Sequence, residues 1–141
     1  MTQQNTAAMQ AAFDTVLTKL RVQGVASITG DGRSCQYRSE FGCCAVGHLL
    51  PHDLQLDDLD NGKSVNDLLA DYDLPELADI PIGFLDDLQI AHDCLLPLPP
   101  DVEESARMEN FRLKRFSGIG RCMAAWEGRM DGIASYYGLT Y

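Results

Sequence analysis

From Phe116 onward, apolar residues recur at alternating steps of three and four: Phe116, Ile119, Met123, Trp126, Met130, Ile133 and Tyr137. That period belongs to an α-helix with one buried face, and Gly138 is placed to end it. A helix of this kind gains most of its stability from packing, so the chain must supply other apolar faces to cover the stripe. Three heptads barely suffice for a coiled coil, so the stripe reads as core. Gly118 and Gly120 lie inside it and are places where the helix can kink or split.

Complementary faces occur upstream. Residues 6–21 carry Met9, Phe13, Val16, Leu17 and Leu20 at helical spacing, with Asn5 or Thr6 as the cap and Gly24 as the stop. Ser64 and Asp67 form a capping box that opens a short helix through Leu68, Leu69 and Tyr72. Ile80 to Gly83 lead into a helix with Phe84, Leu85, Leu88, Ala91, His92 and Leu95 on its dry side and Asp86 and Asp87 on its wet side. Gly42 opens another short helix, from Cys43 to Leu50, which Pro51 stops. Residues 25–28 and 34–38 flank Thr29-Gly30-Asp31-Gly32-Arg33, which predicts a small β-hairpin lying on the helices. Leu96-Pro97-Leu98-Pro99-Pro100 is a stiff connector, and Asp101, Glu103 and Glu104 sit where the last helix begins. The expected fold is mainly α: one compact domain over 1–141, of about five helices with a small β-hairpin.

The 141 residues are 45% hydrophobic and carry a net charge of -10, a composition that supports a folded domain rather than disorder. The charge is unevenly placed. Segment 53–104 holds fifteen acidic residues and one base, Lys63, whereas residues 1–52 carry net +1 and 105–141 net +3. A segment so acidic disfavours direct contact with nucleic acid and favours a partner with a basic surface. The start of the chain has no basic and apolar leader, and no apolar run approaches the ~20 residues that span a bilayer. Five cysteines, an odd number, fit a reducing compartment rather than a disulfide framework. A cytoplasmic protein without cofactor or membrane contact is expected.

Three of those cysteines and two of the three histidines crowd into residues 35–52. Cys35, Cys43, His48 and His52 are the residue types that bind zinc, but Pro51 separates the histidines and no Cys-x-x-Cys is present. Gly42-Cys43-Cys44 at a helix start would lower a thiol's pKa. That suggests a thiol-dependent hydrolase or transferase using Cys44 or Cys43, with His92 and Asp93 as base and orienting acid and Gln89 as an oxyanion donor. Arg38 can clamp a carboxylate or phosphate, or tie its strand to an acid of the middle segment.

Four ordered motifs carry a resemblance: Cys35-x-Tyr37-Arg38, Cys44-Ala45-Val46-Gly47-x-Leu49-x-Pro51, Leu88-Gln89-x-x-His92-Asp93, and Trp126-x-x-x-Met130-x-x-Ile133-Ala134. Over residues 35–138 the chain resembles a group of small uncharacterised phage and prophage proteins, from which His48 and His52 depart. The resemblance implies a phage-type origin and no assigned chemistry. Joined to the charge layout, it leads us to expect an accessory protein that binds and inhibits a host protein assembly. A nucleic-acid-binding defence complex of the CRISPR type would be its logical target, which would make the chain an anti-defence, anti-CRISPR inhibitor. Asp57, Asp58, Asp60, Asp86 and Asp87 are the expected contact residues, and binding rather than catalysis is the expected mode.

Overall fold

The computed structural model describes residues 3–28, 35–99 and 121–141. Four α-helices lie among them: α1 (Gln3–Gln23), α2 (Val65–Asp71), α3 (Ile82–Leu95) and α4 (Met123–Tyr137). Short 3-10 turns at Val46–Leu49, Asp60–Gly62 and Pro75–Leu77 punctuate the middle. One two-stranded antiparallel ladder, β1 (Arg38–Ser39) with β2 (Gly42–Cys43), completes the described elements. The mainly helical expectation is met. Phe116, Ile119, Gly118, Gly120 and the acids at 101–104 lie outside the described residues.

The core is the set of faces read from the periodicity. Met9, Phe13, Val16 and Leu20 of α1 are fully buried, as are Phe84, Leu85 and Leu88 of α3 and Trp126 and Met130 of α4. Each such large apolar side chain contributes roughly 1.5–3 kcal/mol relative to exposure. α3 packs against α4, while α1 touches α4 and the Val46–Leu49 turn. Glycines with positive φ close two helices: Gly24 at φ 71° after α1 and Gly138 at φ 70° after α4, a conformation that costs other residues dearly. Ser64 caps α2, its Oγ accepting from the Asp67 N–H at 3.2 Å.

Three side-chain amides do work that strands do elsewhere. Gln10 accepts from the Thr140 N–H at 2.8 Å and donates to the Thr140 carbonyl at 2.9 Å. Gln23 clasps Cys43 in the same way, at 3.0 and 2.8 Å. Asn61 clasps Arg38, at 2.9 and 2.7 Å. Each clamp satisfies both polar groups of one residue's backbone, which a chain with so short a ladder must otherwise leave to water.

Two expectations are corrected. Among the described residues, the 25–28 and 35–38 stretches meet in one antiparallel bridge, Ile28 to Cys35, with the Gln36 N–H donating to the Ser27 carbonyl at 3.2 Å, rather than in a longer ladder; the turn expected between them lies outside the described residues. The backbone N–H groups of Ala26 and Ser27 are spent elsewhere, on the Pro97 carbonyl and on His92. The described ladder turns at Glu40-Phe41, with Arg38 opposite Cys43 and Ser39 opposite Gly42. Nor does a helix run from Cys43 to Leu50. Cys43 belongs to β2, and one 3-10 turn follows, because Gly47 is pressed against the Tyr37 backbone. A Cβ on Gly47 would stand 2.0 Å from the Tyr37 carbonyl oxygen.

Candidate functional site

α3 carries the densest chemistry. His92 is fully buried, and the backbone N–H of Ser27 donates to its Nε2 at 2.8 Å. Nε2 is therefore the bare nitrogen, and the ring's single proton sits on Nδ1, which donates to Asp93 Oδ1 at 2.8 Å. Gln89 Nε2 donates to the same carboxylate oxygen at 2.9 Å, while Gln89 Oε1 accepts from the Val46 N–H at 3.2 Å. Arg121 donates to the carbonyls of Asp93 and Leu96, fastening the approach to α4 onto the end of α3.

Cys35 completes the node. Its sulfur, a ring nitrogen of His92 and a carboxylate oxygen of Asp93 all lie within 4.8 Å of one another. Among the described residues this is the one group of three such side chains close enough to share a metal ion. The donor chemistry does not fit one. Metallation at Nδ1 would move the ring proton to Nε2, where it would face the Ser27 N–H, donor against donor. Within the hydrogen-bonded node, desolvation, reinforced by the Asp93 carboxylate, pushes the Cys35 thiol well above its ordinary value. The node is a hydrogen-bonded hub converging on Asp93, joining the 25–28 segment, the hairpin approach and α3.

The other sequence-nominated residues fall elsewhere. Cys35 does not meet Cys43, His48 or His52; its partners are His92 and Asp93. His48 lies against Gln23, its Nε2 2.9 Å from Oε1, and burial, with Lys19 adding, lowers its pKa to about 4. His52 is exposed. Cys44 is fully buried, and its sulfur accepts from the Gly47 N–H at 3.3 Å. Burial, with the Asp93 charge adding, raises its thiol; burial raises Cys43 too, against the partial offset of Arg38 and Lys19. These thiols are the reverse of activated, and His92 spends its bare nitrogen on Ser27 rather than on either of them.

The Arg38 guanidinium donates to the carbonyls of Leu54 and Pro51, so it ties its strand to the middle segment through backbone rather than through an acid. Tyr37, buried beside it, donates its hydroxyl to the Lys63 carbonyl at 2.7 Å. Together with the Asn61 clamp, these bonds tie the loop 51–63 onto the hairpin.

That loop begins the acidic surface. Of the nominated acids, Asp57, Asp58 and Asp86 are exposed. Asp60 is engaged within the fold, bonded to Tyr72 and, at 2.7 Å, to Lys63, and Asp87 accepts from the Tyr137 hydroxyl at 2.6 Å. Asp53, Asp67, Asp71, Asp73, Glu76 and Asp79 are exposed as well. The segment's one base, Lys63, is drawn into pairs with Asp60 and Asp71. No helix among the described residues is long and apolar enough to cross a membrane. No family model matches the chain, and neither a curated protein nor a solved structure is similar to it.

Proposed function

We propose that this chain is a phage-type accessory protein that binds a basic surface on a host protein assembly and occludes it. The reading fits a target whose surface normally holds nucleic acid, such as a CRISPR-type defence complex. One observation carries it: nine acids between Asp53 and Asp86 are exposed while the lone base of the segment is already paired. Lysine and arginine arrays that bind phosphates are attracted to such a surface, and rim charges of this kind speed encounter and make it salt-dependent. Arg38, Tyr37 and Asn61 serve this role by tying the acidic loop to the hairpin, and the buried hub by fixing α3, rather than by chemistry.

Affinity capture with the tagged protein from host cells at low and at high salt is the test. The expected outcome is one stoichiometric nucleic-acid-binding complex at low salt, lost at high salt. The triple variant Asp57→Lys, Asp58→Lys, Asp86→Lys should capture nothing, with a melting curve to show that the fold survives loss of the Asp57 carboxylate's bond from the Asp60 N–H. If that variant retains the complex undiminished, the acidic-surface reading is wrong.

A further inference from the structure

Between α3 and α4 lies a cleft of about 380 Å³ lined by Asp87, Arg129, Gly132, Ile133, Tyr136 and Tyr137. We propose that this cleft is the anchoring site for an arginine side chain of the basic partner. The assignment rests on the acidic-surface reading above and locates within it the contact expected to dominate.

Asp87 supplies the charge. The Tyr137 hydroxyl donates to its Oδ2 at 2.6 Å, which fixes the carboxylate's orientation but uses only one of its roughly four acceptor positions. The rest can take a guanidinium through two parallel hydrogen bonds. Tyr136 supplies the stacking surface. It is 82% exposed and meets the Tyr137 ring edge to face, with centroids 4.9 Å apart and planes at 77°. At that exposure the Tyr136 ring is open for a planar cation to cover. Tyrosine and arginine are among the residue types that interface hot spots favour.

The room comes from an absent side chain. Gly132 sits mid-helix in α4, and a Cβ built there meets nothing within 4 Å. Ile133 beside it is buried and offers an apolar floor for the methylene stem of a long side chain. Arginine fits better than lysine, because only the flat guanidinium both stacks and pairs bidentately. Arg129, on the cleft wall, has the same sign as the proposed occupant. Its removal therefore reports the occupant's charge.

The test is a titration of isotope-labelled protein with a capped tripeptide carrying arginine between two glycines, followed by amide chemical shifts. A citrulline peptide, the same shape without the charge, is the control. Saturable shifts at Gly132, Tyr136 and Tyr137 are expected with arginine and not with citrulline. Asp87→Asn, which can still accept from Tyr137, should weaken binding about tenfold, and Arg129→Gln should tighten it. Gly132→Leu should abolish it by filling the cleft, while its melting curve shows the fold intact. The proposal is overturned if Gly132→Leu leaves the shifts in place, or if Asp87→Asn tightens and Arg129→Gln weakens binding, the signature of an anion. Capture of the host complex by Gly132→Leu separates the two readings. A complex retained by this variant but lost by the Asp57, Asp58, Asp86 triple variant upholds the acidic surface and removes the cleft. A complex retained by both removes the two together.

Discussion

The Ser27 backbone N–H and His92 Nε2 are joined at 2.8 Å across 65 residues, and this one bond decides what the histidine can do. With that nitrogen taken and Nδ1–H aimed at Asp93, the ring has no lone pair left for a thiol or a metal. Its role is to pin the 25–28 segment to α3. His92→Ala should strand the Ser27 N–H, remove a donor from Asp93 and open a cavity. The expected cost is about 2–4 kcal/mol, read by urea unfolding.

Gly47 and Gly132 make opposite predictions for the same change. At Gly47 an added Cβ would sit 2.0 Å from the Tyr37 carbonyl oxygen and 2.9 Å from its carbon, and backbone atoms cannot swing aside. Gly47→Ala should cost about 2–4 kcal/mol. Gly132→Ala meets open space in a helix and should stabilise by about 0.5–1 kcal/mol. Thermal melts of the pair separate close packing from helix propensity.

Iodoacetamide should rank the cysteines by exposure rather than by any activation. Cys122 is exposed at the cap of α4, its sulfur accepting from the Ala125 N–H at 3.3 Å, and it should label first at neutral pH. Cys44 and Cys94 are buried and should label only as fast as the fold opens. Mass mapping of a labelling time course decides the point. Fast modification of Cys44 in the folded protein would contradict the protonated, desolvated thiol described above.

His48 gives the fold an acid-side weakness. Its folded pKa, lowered to about 4 by burial, lies below the ordinary value of about 6.5. Above about pH 6.5 neither state carries the proton. As the pH falls toward 4, the unfolded chain binds it and the folded chain does not, so stability is lost across that window and levels off below it. Discounted for the solvent reaching a half-buried ring, the loss is about 1–2 kcal/mol. Comparing unfolding at pH 7 and pH 4.5 should show a smaller drop in His48→Gln, which keeps an amide donor toward Gln23.

The helices were legible because their signals are local. Met9, Phe13, Val16 and Leu20 mark α1 by period, Ser64 marks the start of α2, and Gly138 ends α4 where a left-handed residue is needed. The hairpin was not legible, because its register depends on claims from far along the chain. His92 and Pro97 take the N–H groups of Ser27 and Ala26, so the pairing begun at the Ile28–Cys35 bridge does not extend back along the 25–28 segment. His92, Asp93 and Gln89 drew notice from their spacing, yet no pattern could bring Cys35 to them, since proximity across 57 positions is set by packing. Arg38 does tie its strand to the middle segment, but not through an acid. Its partners are backbone carbonyls, which every residue has, so sequence holds no trace of them. The cleft between α3 and α4 was invisible because its key feature is a side chain that Gly132 lacks.

The clamp between Gln10 and Thr140 spans 130 positions, and α1 also packs on α4. Contacts this distant in sequence delay folding, because a long loop must close before they reward it. During synthesis, α1 emerges early and then waits for residue 140 to clear the ribosome before its last partners exist. Throughout that interval Met9, Phe13, Val16 and Leu20, buried in the folded protein, are still short of their full cover. Transiently exposed apolar surface of this kind makes incompletely folded chains aggregation-prone until the last helix docks.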